Sequence, residues 1–358
     1  MERRREFIFL NPASSVLLLR TDPTRPDPSV IRTAAGVLRN GGIVAAPTET
    51  VYGLFAHAYR EDGCAKVFKA KGRPMDNPLI VHVDTVEMAM AVADIPNDVA
   101  EVLRRVWPGP ITVVVPSRGV VARCVTAGLP TVAVRAPAHP IPLSIIKELG
   151  APIAGPSANK AGRPSPTTAG HVVEDLDGEV DVVIDGGPTF FGVESTIIDV
   201  TKRPPVVLRP GPFTVEELEK LFGPVSVPPV ARGLAEADVA LAPGMKYRHY
   251  APDTVLVIVH FDLAEAVQTL RARGLKVAVL CATGKCAEAN YVIQMGDDLY
   301  EVARNLYKSL RDLDKLGVDI GVVPAIEERG VGLAIMNRLR KASGHREALN
   351  KEQLLAML

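Results

Sequence analysis

Short apolar runs that break at proline or glycine into polar loops restrict this chain to an α/β design more than any other feature. The clearest case spans residues 41–83. Ile43 to Ala46 is apolar and stops at Pro47, where the hydroxyl-rich turn Thr48-Glu49-Thr50 begins. A helix-like segment follows, then the basic knot Lys69, Lys71, Gly72, Arg73, Pro74, and then a second apolar run carrying His82. A sheet holds such loops rigidly while leaving them exposed, which is why α/β proteins concentrate chemistry at strand ends. Fixed cations beside hydroxyls and amides suit a polyphosphate or a carboxylate, Lys as a point charge and Arg as a bidentate fork.

The same alternation continues along the chain. Strands are predicted over 16–19, 111–115, 131–135, 151–156, 180–184, 195–200 and 206–209. Helices are predicted over 29–38, 86–93, 98–106 and 215–221, with another starting at Thr167 or Thr168. Ser29 and His139 read as helix caps, and Trp107 as a staple for the turn Trp107-Pro108-Gly109-Pro110. Periodicity lapses over 223–253, which is proline-rich like a linker. Beyond it, strands over 255–259, 276–280, 291–294 and 320–323 alternate with helices over 263–273, 299–316 and 332–343. That is a small Rossmann-like unit without a dinucleotide fingerprint. A length of 358 residues agrees with two or three domains.

Basic and acidic residues balance at 41 each, so no global field steers the chain toward nucleic acid. The four cysteines, Cys64, Cys124, Cys281 and Cys286, are too scattered for a disulfide framework or a four-ligand zinc site. Buried thiols are expected, with bridging of Cys281 to Cys286 left open. The basic opening MERRREFIFLNP lacks the apolar core of a secretory signal, and no run is long enough to span a bilayer. A soluble, cytoplasmic protein is expected.

Taken singly, the polar residues read two ways. A Thr-x-Thr cluster is ordinary turn chemistry, cations at a helix end complement its dipole, a lone histidine in a strand packs, and Ser157 or Asn159 caps a helix. Together they carry a resemblance. Lys71-Gly72-Arg73 with Ser157-Ala158-Asn159 resembles the KxR…SxN signature of the YrdC/Sua family of threonylcarbamoyl-AMP synthases. PTETVYGL (47–54), GRPMDNPLIVHV (72–83), PGPITVV (108–114) and TVAVRAPAHP (131–140) stand around it in the family's order. GPSANKAGRPSPTT (155–168), DGG (185–187), GVESTIIDV (192–200) and VLRPG (207–211) complete the set.

The resemblance implies a YrdC-like catalytic domain over 1–222, a twisted open mixed sheet with helices. It implies a linker or lid over 223–253 and a smaller Rossmann-like α/β domain over 254–358, as in the longer Sua-type members. Lys71, Arg73, Asn77, Thr131, Asn159, Thr167 and Arg209 would contact ATP, with Lys71 and Arg73 also catalytic. Thr50, His82, Arg135, Ser157 and Ser195 would hold L-threonine. APGMKYRHYAP (242–252) resembles the linker motif over the active-site opening, which places Tyr247 or Tyr250 near the nucleotide without choosing between them.

The implied nucleotidyltransferase reaction joins L-threonine, bicarbonate or CO2, and ATP into threonylcarbamoyl-AMP and pyrophosphate. It is the first step of threonylcarbamoyladenosine formation next to the tRNA anticodon, completed by a separate transferase complex. Magnesium is expected to be held mainly by the ATP phosphates, so no protein ligand is assigned to it. No residue stands out as a general base. One rival reading is a double-stranded RNA or tRNA-binding module using the same concave site, which balanced charge weakens. Another is a carbamoyltransferase-related nucleotide-binding protein, whose zinc-finger and acylphosphatase-like segments are not visible.

Overall fold

The computed structural model describes residues 16–235, 240–243, 245 and 250–358. The first sheet is built from β1 (Leu17–Arg20), β2 (Val44–Pro47), β3 (Tyr52–His57), β4 (Ile80–His82) and β5 (Ile111–Pro116). It continues with β6 (Thr131–Arg135), β7 (Ile153–Gly155), β8 (Val182–Asp185), β9 (Thr196–Asp199) and β10 (Val206–Arg209). Their spatial order is β1-β8-β2-β3-β7-β4-β6-β5-β9-β10. Parallel pairs (β1 with β8, β4 with β6) mix with antiparallel ones (β2 with β3, β3 with β7, β5 with β6). The sheet is therefore open and mixed.

Helices cover both faces of this sheet. On one side, Val67 and Phe68 of the Glu61–Lys71 helix and Leu103 of the Asn97–Val106 helix join a large core with Leu54, Val81, Val113 and Val134. On the other, the Pro28–Arg39 and Pro140–Leu149 helices pack Ile31, Leu38, Ile141 and Ile145 against Val44, Phe55 and Ile153. Caps follow local chemistry. His139 accepts from the Ile141 amide at 3.2 Å, and the Trp107 indole donates to the Ile111 carbonyl at 2.9 Å, stapling its turn as expected. The first helix is capped by Asp27 instead of Ser29: Pro28 suits the opening helical position, and Ser29 donates its amide to Asp27.

A second, all-parallel sheet comprises β11 (Val255–Val259), β12 (Val277–Ala282), β13 (Tyr291–Gly296), β14 (Ile320–Pro324) and the short β15 (Glu347–Ala348), in the order β13-β12-β14-β11-β15. The Leu263–Arg271 helix covers one face. The Leu299–Lys315 and Gly332–Ser343 helices cover the other, and their core takes in Val51, Val193 and Tyr250, so it bridges the two sheets.

Two sequence readings change. The segment after Thr50 is a strand, β3, before it is a helix. Its residues 52–56 are all buried between β2 and β7, and a strand buried on both faces has no alternation to separate it from a helix. The cysteines are also paired. Cys64 is bridged to Cys124, with Cα atoms 6.3 Å apart, because the Glu61–Lys71 helix packs on the short Arg123–Thr126 helix. Cys281 is bridged to Cys286 at a Cα distance of 4.7 Å. A spacing of 60 residues gave no hint of the first pair.

Where β7 crosses β3, a Cβ on Gly155 would lie 1.9 Å from the Leu54 carbonyl oxygen, so only glycine fits there. Gly155→Ala is expected to lower stability by about 1–3 kcal/mol, read by urea unfolding, because a backbone atom cannot yield as a side chain does.

Candidate functional site

A cavity of about 270 Å³ opens over β3, β4, β6 and β7. It is lined by Thr48 and Thr50 from the β2–β3 turn, Lys71, Arg73 and Asn77 from the loop before β4, and His82 and Arg135 from the ends of β4 and β6. Ser157 and Asn159 follow β7, Ser195 precedes β9, Arg209 ends β10, and Pro243 and Tyr250 come from the segment joining the two sheets. Strand ends thus deliver nearly every polar group.

The two halves of the signature are tied directly. Lys71 is buried, and its Nζ donates to the carbonyls of Ser157 and Asn159, both at 2.5 Å, with Asn159 Oδ1 at 3.4 Å. Burial, then the Arg73 guanidinium, pushes its pKa well below the usual lysine value. Three acceptors, which only an ammonium satisfies together, still favour the charged form. Arg73 donates through Nε to the Asn77 carbonyl at 3.0 Å, and through Nη2 to Asn77 Oδ1 at 2.6 Å and the Pro78 carbonyl at 2.9 Å. Asn159 is locked in turn by Ser157 Oγ and by the Lys160 and Arg163 carbonyls.

Two groups keep unspent polar capacity. Arg135 Nη2 lies 2.6 Å from Glu49 Oε1 in a buried ion pair. The pair is poorly aligned: Arg135 Nε and Nη2 and both Glu49 oxygens have no hydrogen-bond partner among the described residues. A guanidinium in that condition is ready for a ligand carboxylate. His82 is buried beside Phe55, their rings edge-on at 5.0 Å, with Nδ1 3.1 Å from the Ile80 carbonyl. That partner assigns the proton to Nδ1 and leaves Nε2 an acceptor. Burial, then the Arg135 charge, pushes the His82 pKa down to about 3.

On the far wall, Arg209 donates through Nε to the Ser195 carbonyl at 3.1 Å and through Nη2 to Ser195 Oγ at 3.2 Å; Oγ also meets Thr112 Oγ1 at 2.8 Å. The neighbouring Glu194 carboxylate accepts from Ser165, from the Tyr307 hydroxyl at 2.7 Å and from Arg338 Nη2 at 3.1 Å. Burial raises its pKa, but Arg338, Arg209 and these hydrogen bonds outweigh that and hold it at about 2.

Two of the expected contacts, Thr131 and Thr167, are not among the residues lining the cavity. Thr131 starts β6, paired with Pro116, about 13 Å along the strand from Arg135. Thr167 is buried, its carbonyl accepting from the Thr189 amide, while Thr168 caps the helix. Tyr250 lines the cavity, and Tyr247 lies outside the described residues. Tyr307 and Arg338 went unnoticed in the sequence. The available signal was a charged residue, Arg338, set between the apolar Ile335 and Leu339 of a helix.

Residues 36–211 match the Sua5/YciO/YrdC family model, described as telomere recombination, and residues 213–344 match one described as threonylcarbamoyl-AMP synthase, C-terminal domain. The threonylcarbamoyl-AMP synthase of Pyrococcus abyssi is 49% identical over 324 residues, covering 88% of this chain and 94% of that one. This chain belongs to the Sua5/YciO/YrdC family. The Bacillus subtilis threonylcarbamoyl-AMP synthase is 43% identical over 336 residues, covering 91% and 96% of the two chains. Among solved family structures, P. abyssi Sua5 complexed with L-threonine superposes with a TM-score of 0.89 at 46% identity, covering 94% of this chain and all of that one. E. coli YciO shares the fold of the first sheet, with a TM-score of 0.50 at 21% identity over 55% of this chain and 96% of its own. The expected Sua-type architecture, a YrdC-like mixed sheet followed by a smaller α/β unit, is therefore the one this family member has.

His82 should stay neutral, protonated on Nδ1, at every pH from 5 to 8, which nitrogen-15 NMR of the imidazole reads directly. A depressed histidine pKa means the unfolded chain, near 6.5, takes up a proton that the folded one refuses until about 3. The histidine's contribution is therefore full above pH 6.5 and declines as pH falls toward 3, so His82→Gln should show a shallower loss of stability across that window.

Proposed function

We infer that this chain is a threonylcarbamoyl-AMP synthase, consuming L-threonine, bicarbonate and ATP and acting as a nucleotidyltransferase. The observation that carries this reading is one cavity holding both signature halves beside an arginine with unspent donors, in a chain 49% identical to a named synthase. The relative solved as a complex with L-threonine supports placing the amino acid here as well.

In this mechanism Arg135 takes the threonine carboxylate, while Thr50, Ser157 and Ser195 offer hydroxyls to its polar groups. His82, neutral at working pH, presents Nε2 as an acceptor toward the amine or the carbamate. The free amine adds to CO2 and loses a proton, or takes its carboxyl from bicarbonate with loss of water, to give N-carboxythreonine. Its carboxylate oxygen attacks the α-phosphorus of ATP; the bond to the bridging oxygen breaks and pyrophosphate leaves. Arg73, Asn77, Asn159 and Arg209 line the nucleotide side, with Tyr250 toward the mouth. Lys71 supplies charge from behind the loop, and direct contact with a phosphate would require it to release a carbonyl. Thr131 and Thr167 are left out of the contact set. Such chemistry depends on positioning and charge neutralisation more than on a protein nucleophile.

Magnesium would arrive on the triphosphate and neutralise its charge. The cavity's carboxylate, Glu194, is committed to Arg338, and no three acidic, histidine or cysteine side chains converge among the described residues. The product feeds tRNA threonylcarbamoyladenosine formation by a separate transferase complex in the cytoplasm. No helix among the described residues is long and apolar enough to cross a membrane.

Pyrophosphate release should require threonine, bicarbonate and ATP together, and Arg73→Ala should slow it about a hundredfold, as loss of one positioned donor does. Release indifferent to threonine would point to another acceptor. ATP binding without release would favour a binding module.

A further inference from the structure

The buried contact between the two sheets grips the cavity wall at two chosen points. Arg338, on the Gly332–Ser343 helix, is fully buried and donates through Nε at 3.2 Å and Nη2 at 3.1 Å to Glu194 Oε2. Its Nη1 donates to the Pro210 carbonyl. Glu194 immediately precedes Ser195, and Pro210 immediately follows Arg209, the two residues that bond each other across the far wall. Tyr307, from the Leu299–Lys315 helix, adds its hydroxyl to Glu194 at 2.7 Å. That helix comes so close that a Cβ on Gly192, whose φ is +74°, would lie 2.4 Å from the Arg304 backbone. Tyr250, which lines the cavity, packs its ring 5.2 Å from Tyr307 and under Arg338 at 5.9 Å.

We propose that Arg338 is a positioning residue for threonine binding: acting from the C-terminal half through Glu194 and the Pro210 carbonyl, it sets the Ser195–Arg209 pair. Docking of the second sheet is then part of building the site. The guanidinium reaches Glu194 with Nε and Nη2 and the Pro210 carbonyl with Nη1, a planar fork that the single nitrogen of a lysine does not reproduce, so the conservative change keeps the charge and alters the geometry. The proposal rests on Ser195 lying on the threonine side of the cavity.

A control sits on the same helix. Arg340, also buried, holds Glu347 at 2.7 Å, Glu328 at 2.6 Å and the Arg232 carbonyl at 2.9 Å, and none of these groups or their chain neighbours lines the cavity. Threonine binding by calorimetry on the full chain should weaken about tenfold in Arg338→Lys, and by less in Tyr307→Phe, which removes a single hydroxyl. Arg340→Lys should lower the melting temperature by a similar amount and leave threonine affinity unchanged. A merely structural role predicts that Arg338→Lys and Arg340→Lys behave alike. Equal effects in both, or wild-type affinity in both Arg338→Lys and Tyr307→Phe, would overturn the proposal. Wild-type chain that binds threonine yet releases no pyrophosphate would sink the synthase reading alone, and wild-type chain that binds no threonine would overturn both.

Discussion

A lysine ammonium taken out of water must be met by acceptors, and the site is arranged around how that demand is satisfied at Lys71. Its stem passes into the core at the end of the Glu61–Lys71 helix, and its head is received by carbonyls of the loop after β7. That single group joins two stretches more than eighty residues apart. Once they are joined, Arg73 turns toward Asn77 and Asn159 is held by its own loop, so the cationic rim and the amide rim face one another. Breaking the arrangement by deleting one partner would leave a buried polar group uncompensated, which costs more than the contact itself contributes.

The second sheet repeats this logic with guanidinium groups. Arg311 and Arg338 come from adjacent helices of the C-terminal half, and both end on carboxylates of the first half, Asp175 and Glu194. Val51, Val193 and Tyr250 belong to the apolar cluster between the sheets, and the Tyr250 ring lies against Arg338 of the Glu194 pair. In such surroundings, geometry decides whether a charge pair helps, and several hydrogen bonds converge on Glu194.

What was legible in the sequence follows from these demands. Strand ends show as apolar runs stopped by proline or glycine, so β2, β4, β6 and the loop after β7 could be found with their polar cargo. Loop cations and hydroxyls need particular residue types at particular steps, and those types are visible. Pairing in space is not. Arg135 looked open for a ligand, but Glu49 also stands against it, because β6 and the β2–β3 turn meet only in the fold. Thr131 sits in a motif with Arg135, yet four strand steps separate them and only Arg135 is among the residues lining the cavity. Buried β3 looked helix-like because nothing in a doubly covered strand alternates. The bridge between Cys64 and Cys124, and the grip of Arg338 on Glu194, depend on helix packing that no local pattern encodes.

The two-point hold of Arg338 also limits how substrates can come and go. Swinging the second sheet away as a rigid body would strip Glu194 of Tyr307 and Arg338 together and expose a dry core, an expensive way to open a small cleft. Of the joining segment, Pro243 meets Arg209 through its carbonyl at the cavity edge, and Ala242 and Met245 belong to a buried cluster with Ile80 and Leu208. The second sheet therefore stands as a frame for the cavity, and whatever admits substrates does so without parting it from Glu194.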